Sequence, residues 1–139
     1  REPGGGTAPS AGHTSSDKKL YREAMEHFKR HQLAVAMIWF GKLIKQYPGS
    51  SLKGNALFWQ GECYYGMKKY SLAMARYQEV LKKFSTHAKA PDALFKMAMS
   101  RLRSGSKKSG RTLLARVLEL YPNSAVASKA SRELERTRD

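Results

Sequence analysis

Two histidines, a single cysteine and a run of glycines are the side chains of this sequence whose type and spacing come nearest to reactive chemistry. His27 and His31 stand four residues apart, which on an unbroken helix places both imidazoles on one face, within reach of a shared metal ion. No third ligand lies near in sequence, and the repeat described below puts His31 in a turn, so no metal site is expected. Cys63 has no activating neighbour in sequence and reads as a small buried hydrophobe rather than a nucleophile. Gly4-Gly5-Gly6 follows no strand, and neither a Gly-x-Ser-x-Gly elbow nor a phosphate-binding loop occurs. The residues therefore predict no catalytic site, no cofactor and no enzyme.

Charge is the other chemical resource. The chain carries 26 Lys and Arg against 11 Asp and Glu, a net charge of +15. The excess is densest in residues 88–139, where Arg101, Arg103, Lys107, Lys108 and Arg111 form a candidate basic patch, extended by Arg116 and by Arg132, Arg136 and Arg138. Such a surface attracts nucleic acid, anionic lipid headgroups or an acidic protein; a merely solvated charged face is the alternative reading. Base-specific contact needs a recognised module, which is absent, so weak non-specific binding at low salt is expected and specific nucleic-acid binding is not.

The elements that position these residues follow from length and periodicity. A chain of 139 residues has room for one modest domain, and one cysteine rules out an internal disulfide framework. The longest apolar run, Leu33 to Phe40, is far shorter than the roughly 18 residues a membrane-spanning helix requires. Residues 1–16 are rich in Gly, Pro, Ser and Thr and hold no large aliphatic or aromatic side chain, so they read as a flexible linker, with Asp17 as the helix N-cap that follows. The opening Arg1 and the want of a signal peptide suggest a fragment or a processed chain.

From residue 17 to 139 the sequence repeats with a period of 37. Ala56-Leu57-Phe58 recurs as Ala93-Leu94-Phe95, and Tyr47-Pro48 has counterparts at Phe84-Ser85 and Tyr121-Pro122. In that register small residues share one column (Ala24, Gly61, Ala98) and a second (Ala36, Ala73, Gly110), followed by bulky columns at Phe40, Tyr77 and Leu114 and at Leu43, Val80 and Val117. Each unit reads as a helical hairpin with a turn near Arg30-His31, Met67-Lys68 or Ser104-Gly105. Small residues let two helices cross closely, and the bulky columns fill the space between hairpins. The repeats span about 17–50, 51–87 and 88–123, and residues 124–137 close the array as a capping helix, with Val126, Ala127, Ala130 and Leu134 on one face. The expected fold is an all-α solenoid of three hairpins and a C-terminal cap.

Small, small, aromatic and then Pro at these offsets resembles the tetratricopeptide repeat, whose usual period is about 34 residues; the extra residues fall in loops such as Gly49-Ser50-Ser51-Leu52-Lys53. Asn55 to Phe84 and Ala90 to Gly105 are similar to the C-terminal tetratricopeptide domain of the YbgF (CpoB) family of the Tol-Pal cell-envelope system. The chain departs from that pattern at Ser85 and Gly110 and in its strong basicity; outer-membrane assembly lipoproteins of the BamD kind carry similar loops. The YbgF resemblance implies a periplasmic protein that binds TolA, works in envelope constriction at division, and trimerises through an upstream coiled coil, this portion alone being monomeric. The tetratricopeptide resemblance implies a partner groove on the concave face of the first helices. Carried onto this sequence, the groove residues are Tyr21 and Met25; Asn55, Phe58, Glu62 and Tyr65; Asp92, Phe95 and Met99. An aromatic, Met-bearing groove suits a peptide, although packing in the core is the alternative for each ring. A basic module for nucleic acid or an anionic membrane is the competing functional class. Trp39 and Trp59 are expected to pack, Trp59 having Lys96 as its counterpart in the next repeat.

Overall fold

The computed structural model describes residues 15–139, so the expected linker, but for its last two residues, lies outside the described residues. Seven helices follow in order: α1 (Ser16–Lys29), α2 (Leu33–Gln46), α3 (Lys53–Gly66), α4 (Tyr70–Lys83), α5 (Ala90–Arg103), α6 (Lys107–Leu120) and α7 (Ala125–Arg136). Extensive packing joins each helix to its neighbour in sequence, and α5 also touches α7. Short connections between such neighbours make every adjacent pair antiparallel. The odd-numbered helices therefore all run one way and the even-numbered ones the other.

The columns read from the period of 37 are the seams of this solenoid. Ala24 and Ala98 in the first helices, Ala36 and Ala73 in the second, and the large side chains Phe40, Tyr77 and Leu114 are all fully buried. Glycine takes the remaining two small positions because a larger side chain has nowhere to go: a Cβ on Gly110 would stand 2.7 Å from Leu102 Cγ and 3.2 Å from the Ala98 carbonyl oxygen. The core divides into three clusters, each centred on one hairpin and closed by the helix that follows it. Ile44 and Trp59 pack against both the first and the second cluster, and Leu81 and Leu113 against both the second and the third.

Each hairpin turns through the same device. The first helices end with a 6→1 bond, from Gln32 N–H to His27 O (2.9 Å), Lys69 N–H to Tyr64 O (2.8 Å) and Ser106 N–H to Arg101 O (2.8 Å). In each turn the residue just before that donor is left-handed: His31 (φ 61°), Lys68 (φ 61°) and Gly105 (φ 92°). This is the Schellman termination. Side chains at such φ values are strained by about 1–2 kcal/mol, and only the third turn uses glycine. Gly105→Ala is expected to lower unfolding free energy by about 1 kcal/mol in urea titration, although no atom stands within 4 Å of the added methyl.

One expected boundary is corrected. Ser15, in extended conformation, occupies the N-cap of α1, and Asp17 sits inside the first turn. The Asp17 carboxylate accepts bonds from the hydroxyls of Ser15 and Ser50, the latter at 2.6 Å, and so ties α1 to the loop between α2 and α3. These two hydroxyl donors hold its pKa below the usual carboxylate value. At the other end Ser124 begins α7, and Arg111 of α6 donates to Leu134 O (2.6 Å), a carbonyl in the last turn of α7, and to the Thr137 hydroxyl (2.7 Å), which itself donates to Glu133 O.

Candidate peptide-binding face

Side chains join the first helices of neighbouring hairpins into one face. Between α1 and α3, Asn55 Nδ2 donates to Tyr21 Oη at 3.3 Å, and the rings of Phe28 and Trp59 meet edge to face with centroids 5.0 Å apart. Between α3 and α5, Lys96 Nζ lies 3.7 Å from a Glu62 oxygen and 3.7 Å from the centroid of the Tyr65 ring. Tyr65 is further packed by Tyr70 at 5.4 Å and has the Arg103 guanidinium beside its hydroxyl. Burial, opposed by that guanidinium, raises the Tyr65 pKa.

Glu62 is the hinge of this arrangement. Besides facing Lys96, it accepts a 2.5 Å hydrogen bond from the hydroxyl of Tyr77, whose ring is wholly inside the core. Burial and the adjacent carboxylate push the Tyr77 pKa far up, so the hydroxyl stays a donor. One carboxylate thus links the interior of the second hairpin to the surface of the third. A low-dielectric surrounding strengthens such a bond while making either partner costly to lose.

The expected groove residues separate into two groups. Tyr21, Met25, Asn55, Glu62, Tyr65, Asp92 and Phe95 are all half-buried on the first helices, packed enough to be held and open enough to be touched. Phe58 and Met99 are corrections. Phe58 is only 4% exposed, lying 5.4 Å from Trp59 and 5.8 Å from Tyr77, with Lys89 Nζ 5.3 Å from its ring. Its position after Leu57 faces the gap that α5 closes, so it is core. Met99 is 9% exposed on α5 and likewise belongs to the interior.

Trp59 is half-buried and shared by two core clusters, with its indole Nε1 buried and without a hydrogen-bond partner. The residues that sequence reasoning overlooked are Lys96 and Lys89. Lys96 had a legible signal, being the one charge on α5 between Asp92 and Arg101, while Glu62 is the one acid on α3.

The basic cluster is less uniform than its sequence suggests. Lys107 is paired with Asp139 at 2.6 Å, Arg111 is committed to the end of α7, and Arg103 leans on Tyr65. Arg101 and Lys108 are exposed. Cys63 is buried, and desolvation pushes its thiol up to about 12, the opposite of what a nucleophile needs. His27 bonds Gln32 Oε1 through Nδ1 at 2.6 Å and lies 3.3 Å from Glu23, while His31 turns the chain.

Comparison with known proteins agrees with this architecture. The family described as tetratricopeptide repeat matches residues 55–87 and 92–124. Among solved structures, the Yersinia enterocolitica type III secretion chaperone SycD, in complex with a peptide of the translocator YopD, is similar with a TM-score of 0.74 and 22% identity over 88% of this chain and 94% of that one. The first such domain of Spaghetti (RPAP3), bound to the HSP90 peptide SRMEEVD, gives 0.70 at 18% identity over 87% and 89%. The Arabidopsis OM64 domain gives 0.71 at 13% identity over 88% and 97%. No curated protein matches the sequence.

Proposed function

We propose that this chain, an all-α tetratricopeptide-repeat solenoid, is a non-catalytic scaffold that binds a peptide segment of a protein partner along the face of α1, α3 and α5. The observation that carries the reading is the row of half-buried Tyr21, Met25, Tyr65 and Phe95, in which Asn55 and Phe40 hold Tyr21 and Lys96, itself paired with Glu62, holds Tyr65. Aromatic anchors already held in one rotamer lose little freedom on binding, and neighbouring Met side chains adapt to the ligand's shape. Two of the similar structures are peptide complexes, which supports a peptide as the ligand class.

The finer reading is a periplasmic component that binds a TolA-like protein during envelope constriction. It rests on the likeness of Asn55 to Phe84 and Ala90 to Gly105 to the YbgF family. Calorimetric titration with the periplasmic region of TolA from the same organism, at physiological salt, tests it. Saturable binding is expected, weakened about tenfold by Tyr65→Ala or Phe95→Ala, the loss typical of an aromatic anchor. Phe58→Ala is unsuitable as a groove probe, because it would open a cavity in the core. An absence of binding overturns the TolA reading; binding untouched by both substitutions moves the partner off this face.

A further inference from the structure

The three hairpin turns lie on one edge of the solenoid, since the odd-numbered helices all end there and the even-numbered ones all begin there. Each turn exposes a pair of cations, Lys29 and Arg30, Lys68 and Lys69, Lys107 and Lys108, of which Lys107 is paired with Asp139. Local helix stability accounts for the cations that close a first helix, where the carbonyl end of the dipole welcomes them. It does not account for Lys107 and Lys108, which open α6 at its positive end. The first turns of α2, α4 and α6 hold no acidic residue, so no carboxylate of those turns offsets the cations. The opposite edge differs, with Asp17 and Asp92 in the first turns of α1 and α5.

Large apolar side chains accompany these charges. Among the described residues four are exposed, and three of them sit in the first two turns of α2 or α4: Val35 (39%), Ile38 (60%) and Leu72 (47%). Val35 and Leu72 are the same position of successive repeats, each in the helical turn that follows a basic pair. A nucleic-acid or acidic-peptide surface needs the cations alone. Cations interleaved with bare aliphatic side chains are what an anionic bilayer surface takes up, the charges at the headgroups and the aliphatics at the acyl boundary.

We infer that this edge docks the solenoid on an anionic phospholipid surface, leaving the face of α1, α3 and α5 available to a protein partner. The test is co-sedimentation of the full chain with phosphatidylcholine vesicles, with and without about one-third phosphatidylglycerol, at physiological salt. Partition is expected into the anionic vesicles only. Lys68→Glu with Lys69→Glu should lower it about tenfold or more, and Val35→Ser with Leu72→Ser about threefold at unchanged net charge, whereas Leu120→Ser, on the opposite edge, should leave it unchanged. All these positions are exposed, and circular dichroism establishes that each variant is folded. Equal partition into neutral vesicles, or none into anionic ones, overturns the inference. So does a loss on charge reversal with no response to the serine pair, which would reduce the contact to charge attraction alone, with no insertion at the acyl boundary.

Discussion

Gly61→Leu is expected to remove the cooperative thermal transition of this protein, because the residue stands where α3 crosses α4 against a side chain that cannot retreat. A Cβ alone at this position would lie 2.5 Å from Tyr77 Cε1 and 2.8 Å from Cδ1. The Tyr77 ring is fully buried, packed on Phe58 and tethered through its hydroxyl to Glu62, so relief requires the two helices to separate. Gly61→Ala should already cost about 1–3 kcal/mol through overpacking, against a helix-propensity gain of about 1 kcal/mol. Leucine adds three more heavy atoms to the same space and should exceed 4 kcal/mol, a large part of what holds a domain of this size together. Gly41→Ala provides the control: its only close neighbour would be Gln60 Nε2 at 3.4 Å, so the propensity gain should appear as a higher melting temperature. Equal melting temperatures for Gly61→Leu and the parent chain would refute the proposed crossing.

Tyr77→Ala is the second large effect, expected at about 3–5 kcal/mol from lost burial and the cavity left between α3, α4 and α5. Tyr77→Phe separates the ring from its hydroxyl and should cost only about 1 kcal/mol, since Glu62 keeps Lys96 as a partner. The two substitutions also differ in their response to alkali. A tyrosine whose folded pKa lies above the unfolded value of 10 contributes stability in full below pH 10, and that contribution declines above it. Urea midpoints measured from pH 8 to 11 should fall less steeply for Tyr77→Phe than for the parent. Because Gly61 and Tyr77 share one contact, Tyr77→Leu should lessen the damage of Gly61→Ala rather than add to it.

The seams of the fold were legible because each imposes a size limit that the sequence must repeat. Ala24, Gly61 and Ala98 can be matched without coordinates, since close helix crossing admits nothing larger, and the turn at Gly105 announces those at His31 and Lys68 through the same period. The candidate face was only partly legible. Register alone equates Tyr21, Phe58 and Phe95, yet Phe58 is sealed by Lys89 and Trp59, residues of another hairpin and of its own helix that no repeat column couples to it. Lys96 was missed for a related reason. Its column holds Arg22 and Trp59 in the other repeats, so periodicity is silent and only its lone charge in mid-α5 marks it, while its role depends on a carboxylate one hairpin away. Asp17 was misplaced as a cap because Ser15 and Asp17 are both good N-cap types two residues apart, and the bond that ties Asp17 to Ser50 instead joins residues distant in sequence.

The sharing of Ile44 and Trp59 between the first two core clusters, and of Leu81 and Leu113 between the last two, fixes how the molecule comes apart. The second hairpin participates in both junctions, the first in one, and the third in one junction and in the packing of the cap α7. Amide protons of α3 and α4 should therefore open to solvent last, and those of α1 and α7 first, as in any row of units stabilised only by adjacent contacts. The same neighbour-to-neighbour wiring means that folding closes only short loops, and favours a rapid search that begins in the middle of the chain and spreads outward.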